Sequence, residues 1–271
     1  MHVRCARRVD FGFFDPREAD FHGIRALITS GGANGLLPAG ATFDASGLAS
    51  VLCEQIAVGS VAKVVGEKSE EPANVDDVLG FMSAISLHAH RAAPFVKQLV
   101  ASLTQRCTDS AERTKLTELL NASNSGLIVS ARMMNLPPPL VPSLVDALMQ
   151  DLAWAVAHCD DQAERKSFGF AKLLLVASVE MAAEGGGGSS APGDMGPPAG
   201  KKSKKKAERA AAAAAALESL TFARPEEEVL AAAAEWSVLL PAAGRTRQLV
   251  IALTPEAIRG AIPALHAVMG E

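Results

Sequence analysis

The sequence has no tyrosine, two tryptophans and ten phenylalanines among 271 residues. A core built from it must rest on aliphatic side chains, with alanine filling much of the remaining space. Cysteine is scarce too: Cys5, Cys53, Cys107 and Cys159 stand far apart, and no two form a CxxC pair. That spacing excludes a zinc ribbon, a thioredoxin motif and a disulfide framework, so the four read as ordinary thiols of a reducing compartment. No run of 18 apolar residues is present, and no membrane span is indicated. The opening MHVRCARRVDFGFF is basic but lacks the apolar stretch of a secretory signal. These absences point to a soluble intracellular protein. Catalytic signatures are missing as well: GxSxG, HExxH, a Walker lysine loop and GxGxxG do not occur. The glycine runs GGANG and GGGG do not stand between a strand and a helix, where a phosphate cradle needs them.

What is present is apolar enough to fold: 49% of residues are hydrophobic and 21% charged. The net charge is −4, yet KKSKKKAER at 201–209 carries six positive side chains and one negative, a net +5, so everything else stands at −9. The tract sits in low complexity. Residues 184–200, EGGGGSSAPGDMGPPAG, cannot pack, and an alanine run follows at 210–216. The expected organisation is a disordered segment at 1–7, one α/β domain made of 8–183 with 217–271, and a flexible Gly/Pro/Lys-rich insertion at 184–216. The roughly 55 residues after the insertion are too few for a core of their own and should complete the sheet begun before it.

Periodicity gives the elements. Val9, Phe11 and Phe13 alternate as in a strand, while Phe21, Ile24, Leu27 and Ile28 share a helical face. Leu48, Val51, Leu52 and Ile56 do so again, with Asp44 or Ser46 as cap. Strands are expected at 61–65, at Leu79 to Leu87, at Leu127 to Val129, at Leu173 to Val179, and at 236–240 and 248–253. Phe95 to Leu103 reads as a helix. A capping box at Ser143 and Asp146 should open another that buries Val145, Leu148, Met149, Leu152 and Val156. Thr254 and Pro255 open the last helix, which Pro263 should kink or end. Alternating strands and helices imply a single mixed sheet covered by helices on both faces.

Few residues carry chemistry. His88 and His90 face one way on a predicted strand end, yet no third ligand is near, and a surface role is preferred to a metal site. His22 and Asp20 read as parts of a turn into a helix, with Asp20 as cap. The loop after the 127–129 strand, SARMMNLPPPLVP, holds four prolines, which have no N–H to offer an anion. The lysine run reads as a solvated tail, as nonspecific nucleic-acid contact without interleaved aromatics, or as a nuclear localisation signal, which fits a basic run on an exposed segment best.

Several long motifs coincide with a known family. DFGFFDPREADFHGIRALI resembles the opening of the BCCIP family, with Phe13-Phe14-Asp15-Pro16 and Asp20-Phe21-His22-Gly23 as the most specific part. GLIVSARMMNLPPPLVPSLVDALMQDL resembles the family segment that carries Ser130-Ala131-Arg132, Asn135 and Pro137. Phe170 to Met181, LTFARPEEEVLAAAAEWSVLLP and RQLVIALTPEAIRGAIPAL are similar to later segments, in the same order, over most of 9–269. The resemblance implies a fold like that of the GCN5-related N-acetyltransferases without enzyme activity or cofactor. It implies a nuclear adaptor and chaperone, linked to a large-subunit ribosomal protein (universal protein fourteen) and to nuclear export of a phosphatidylinositol phosphate kinase. Animal members are linked to a breast-cancer recombination protein and a cyclin-dependent-kinase inhibitor. Family-motif residues with possible partner contact are Phe14, Asp15, His22, Arg132, Asn135 and Pro137.

Two departures stand out. Family members begin with a long acidic tail that would attract a basic client, whereas this chain starts MHVRCARR, so either the gene model is truncated or the folded surface does that work. The acidic residue of the family's SER motif is Ala131 here, and any ion pair or contact it made is lost. The favoured expectation is an acidic nuclear escort for a basic client, shuttling with the cytoplasm, with no membrane and no specific nucleic acid as partner. An adaptor for peptide segments of cell-cycle or recombination proteins and a cryptic acetyl-CoA-dependent acetyltransferase are the alternatives. The lysine tract would bind a nuclear import receptor. Replacing Lys201, Lys202, Lys204, Lys205 and Lys206 by glutamine in a fluorescent fusion should move the signal to the cytoplasm. An unchanged nuclear signal would rule the tract out as the import element.

Overall fold

Two of the apolar runs are too continuous for strands with one wet face, and the fold accounts for both. The computed structural model describes residues 9–30, 36, 41–66, 71–74, 77–181, 219–242 and 246–270. The insertion at 184–216, its lysine tract and residues 1–7 lie outside the described residues. In strand β4 (Ser125–Arg132), Leu127, Val129 and Ala131 turn to one face of the sheet and Ile128 to the other. In β5 (Lys172–Met181), Leu174 and Val176 join the first face, while Leu173, Leu175, Ala177 and Val179 join the second. A strand buried on both sides needs apolar residues at every position, so it loses the alternation of a half-exposed one.

The strands form one mixed sheet in the order β1 (Phe11–Phe14), β2 (Ser60–Val64), β3 (Gly80–Ser86), β4, β5, β8 (Arg247–Leu253), β7 (Trp236–Leu239), with β6 (Leu220–Phe222) pairing the far end of β5. Neighbours are antiparallel except β4 and β5, which are parallel. β8 lies against β5 from Leu173↔Leu253 to Val179↔Arg247, so residues after 219 and before 182 share one sheet. On the first face pack α1 (Phe21–Thr29), α2 (Ala45–Glu54), α3 (Pro94–Arg106) and α4 (Ser110–Asn121). On the second pack α5 (Leu140–His158), α6 (Gln162–Phe168), α7 (Pro225–Ala232) and α8 (Pro255–Met269). α5 is long and apolar enough to cross a membrane, but Leu144, Val145, Leu148, Met149 and Leu152 of its apolar side are buried in the second-face core.

Local signals set several boundaries. Asp44 accepts from the Gly47 amide at the start of α2, and Thr254 accepts from the Ala257 amide with Pro255 in the first turn of α8. Four expectations need correction. α5 begins at Leu140 rather than after Ser143, because the carbonyls of Pro137 and Pro138 accept the Leu140 and Val141 amides at 3.1 and 3.0 Å and form the first turn early. Within it Ala155 is buried and Val156 is exposed. α8 runs through Pro263 to Met269, since Pro263 and Arg259, whose carbonyl the proline leaves without its amide, both lie on the exposed side. His88 and His90 stand in the turn after β3, not on a strand: the Ser86 carbonyl accepts the His90 amide and its Oγ accepts the Ala89 amide, which ends β3 there.

A polar knot ties α2 and α5 to the start of β2. Gln55 Nε2 donates to the carbonyls of Val58 and Ala84 at 2.9 and 2.8 Å, and Ser83 Oγ donates to the Val58 carbonyl at 2.8 Å. Gly59 gives its amide to Asp151 at 3.1 Å. Its φ is +126°, and a Cβ there would stand 2.7 Å from Ser83 Cβ and Oγ. Gly59→Ala should therefore lose roughly 1–3 kcal/mol or more in urea unfolding. Gly260→Ala, on an exposed turn of α8 with nothing within 4 Å, should gain about 0.5–1 kcal/mol. Equal effects at the two positions would contradict the close approach at Gly59.

Candidate functional site

Parallel strands offer a ligand site where they part, beyond their carboxyl ends. β4 and β5 stay paired only from Ser125↔Lys172 to Leu127↔Leu174, although β4 continues to Arg132 and β5 to Met181. Past that point the facing backbone groups need other partners. The segment that opens α7 supplies them. Arg224 Nη1 donates to the Ser130 carbonyl at 3.3 Å, the Ala223 amide donates to the Ser178 carbonyl at 3.0 Å, and the Ser178 amide donates to the Glu227 carboxyl. Arg132 Nε and Nη2 hold both oxygens of Glu226 at 3.1 and 3.3 Å, a bidentate pair joining the end of β4 to the start of α7. Glu226 and Glu227 are 5% and 6% exposed. The space left between the strands is about 10 Å³, lined among others by Met82, Ile128, Leu175, Leu230 and Ile258. That is about the room one water needs.

The loop from β4 to α5 offers no amide to an anion at its far end. Pro138 and Pro139 have no amide hydrogen, and the amides of Leu140 and Val141 turn back to Pro137 and Pro138. Pro137 is half-buried and Asn135 exposed. Ala131 is 1% exposed in the first-face core, so a carboxylate at this position would lie among aliphatic side chains.

The N-terminal motif builds a second interior charge pair at one edge of the sheet. Phe14 packs into the first-face core, while Asp15 and His22 are exposed, the His22 ring edge-on to Phe21 at 5.2 Å. Asp20 sits at the cap position of α1 but makes no side-chain cap bond there. Its carboxylate accepts the Arg17 amide at 2.9 Å and pairs with Lys63 of β2, and both partners are buried. β1 is separated from β4 by two strands, so Phe14, Asp15 and His22 do not meet Arg132, Asn135 and Pro137. The lysine tract lies outside the described residues. Lys63, Glu226 and Glu227 were missed by sequence reasoning, and the one signal available was a proline followed by three glutamates at 225–228.

Among the described residues no three of His, Cys, Asp and Glu gather closely enough to hold a metal ion. Cys53, Cys107 and Cys159 are buried free thiols, and burial pushes all three up, Cys53 to about 11, so they stay protonated at neutral pH.

Residues 7–230 match the family model described as BCCIP. The chain is 31% identical over 174 residues to "Protein BCCIP homolog" of Arabidopsis thaliana, covering 64% of this chain and 50% of that protein. It is 31% identical over 175 residues to "Protein bcp1" of Schizosaccharomyces pombe, covering 62% and 56%. The chain thus spans about half the length of the curated relatives it matches. Among solved structures, the crystal structure of BCP1 from Saccharomyces cerevisiae matches with a TM-score of 0.61 at 18% identity, over 96% of this chain and 89% of that one, a likeness of fold.

The electrostatics of the seal are unequal. Glu226 has the Arg132 fork, whereas Glu227 Oε2 meets no partner among the described residues. Burial raises Glu227 from 4.5 to about 8, with Arg224 and the Ser178 amide pulling the other way and Glu226 adding to the rise. Folding therefore takes up a proton between those two values. The stability from a neutral Glu227 is fully present below pH 4.5 and is lost as pH rises towards 8. Glu227→Gln cannot titrate, so its advantage over wild type in unfolding free energy, read from urea unfolding, should grow from pH 5 to pH 8, by up to about 1.4 kcal/mol per pH unit. An advantage independent of pH would show that Glu227 is ionised in the folded protein.

Proposed function

Because the chain belongs to the BCCIP family, we propose that it is a non-enzymatic nuclear adaptor and chaperone that escorts a basic client, a large-subunit ribosomal protein, and so serves nuclear transport and ribosome biogenesis. The observation that carries this reading is the sealed divergence of β4 and β5. The place where a parallel sheet would take a small molecule is filled by the chain's own Arg224, Glu226 and Glu227, with about 10 Å³ remaining. At the far end of the loop after β4, Pro138 and Pro139 have no amide to offer a cofactor phosphate, and those of Leu140 and Val141 are taken by the first turn of α5. A protein whose strand divergence is filled by its own side chains works through its surface.

The charge supports the kind of client. Outside the lysine tract the chain carries −9, which attracts and covers the lysines and arginines of an RNA-binding protein until delivery. The lysine tract is the import element. The parting of β4 and β5 fits the expected likeness to the GCN5-related N-acetyltransferase fold, and its closure weighs against acetyl-CoA as a ligand.

Co-expression with the large-subunit ribosomal protein, followed by size-exclusion chromatography, tests the escort. A complex that elutes together at low salt and separates at high salt is expected. Absence of co-elution at low salt would overturn it and favour the adaptor for peptide segments of cell-cycle or recombination proteins. Heat on titrating acetyl-CoA would favour the acetyltransferase.

A further inference from the structure

Away from the seal, the first-face helices leave an open groove of about 300 Å³ between the turn after β3, the first half of α3 and the C-terminal end of α4. Its floor is apolar: Leu87, Val96 and Leu120 lie buried beneath it, and half-buried Val100 and exposed Ala101 form its accessible surface. Its rim carries His88, Arg91, Lys97 and Asn121. Arg91 is held in place, Nη1 donating to the His88 carbonyl at 3.0 Å and lying 3.4 Å from His88 Nε2. Its Nε and Nη2 meet no partner among the described residues, and neither Arg91 nor Lys97 forms an ion pair there. α3 begins beside them with Ala93 as its cap residue and no side-chain acceptor for its first amides. The helix dipole therefore adds positive potential on the same side.

This is an unusual place on a molecule that carries −9 outside one lysine tract. Two permanent cations stand without an ion pair among the described residues beside an apolar trough, and an anionic partner would be drawn to them. The trough decides which anion. A free phosphate would use Arg91 and Lys97 and leave Val100 and Ala101 wet. A peptide with an aliphatic side chain between carboxylates uses both.

We propose that this groove binds a short acidic segment of a partner protein, with an aliphatic anchor seated on Val100 and Ala101 and flanking carboxylates against Arg91 and Lys97. The site lies apart from the escort reading and calls for a partner of opposite charge.

Fluorescence anisotropy with a fluorescein-labelled peptide, DDELLEDD, tests it on the full chain. Saturable binding is expected, weakened about tenfold or more, the equivalent of 1.4 kcal/mol, by the double substitution R91E/K97E. Both side chains are exposed, so the thermal midpoint of that variant should match wild type. DDESSEDD, which keeps the charge and lacks the anchor, should bind at least as poorly as DDELLEDD does to the variant. Absence of saturable binding, equal binding by R91E/K97E, or equal binding by DDESSEDD would overturn the proposal. Displacement of DDELLEDD by inorganic phosphate or by an oligothymidylate at comparable concentration would also overturn it, by showing an anion site that does not use the floor. Co-elution of the basic client with R91E/K97E should be unaffected, which separates failure here from failure of the escort.

Discussion

The structure depends on how two parallel neighbours stop being neighbours. Parallel pairing between β4 and β5 ends at Leu127↔Leu174, and each strand then carries backbone groups into a gap that water cannot fill freely. An interior amide or carbonyl without a partner is costly. The start of α7 meets that cost with Arg224 on Ser130 and Glu227 on Ser178. The same helix then buries its own Leu230 and Ala231 and completes the second-face core. Opening the gap to a ligand would mean withdrawing α7 and exposing both the backbone and that core. The closure of the site and the stability of the sheet are therefore one property.

Two interior charge pairs tie the sheet to segments outside it. Asp20 with Lys63 fastens the entry to α1 onto β2, and Arg132 with Glu226 fastens α7 onto β4. Such pairs add little net stability, because removing charge from water costs about as much as pairing returns. Breaking one is another matter, since the survivor is left buried and alone, a loss of about 3–5 kcal/mol. Their use is to define position: a slip of one residue in β2 would turn Lys63 to the opposite face and away from Asp20.

Much of the fold was legible for a simple reason. Burial on two faces writes continuous apolar runs, as in Leu173 to Val179, and caps such as Asp44 and Thr254 act over three residues. The corrections came where a local signal met a stronger neighbour. Ser143 could have capped a helix, but the prolines before it had already begun one. The seal was illegible for the opposite reason. Three glutamates after a proline look like a solvated helix start, and nothing in the local sequence tells that Glu226 and Glu227 turn inward while Glu228 does not. Arg132 was singled out as a motif residue, and its ion pair with Glu226 gives it a structural duty that a contact role does not require.

The order of the strands bears on how the chain is made. β5 is synthesised some 70 residues before β8, which covers one of its edges from Leu173 to Val179. At ribosomal speeds that edge waits several seconds, apolar on both sides and with its hydrogen bonds unmade. β4 pairs the opposite edge of β5 and leaves this one open. The nascent chain thus passes through a stage in which a strand apolar on both faces is finished before its partner exists. A protein proposed to shield others from association needs shielding during its own birth.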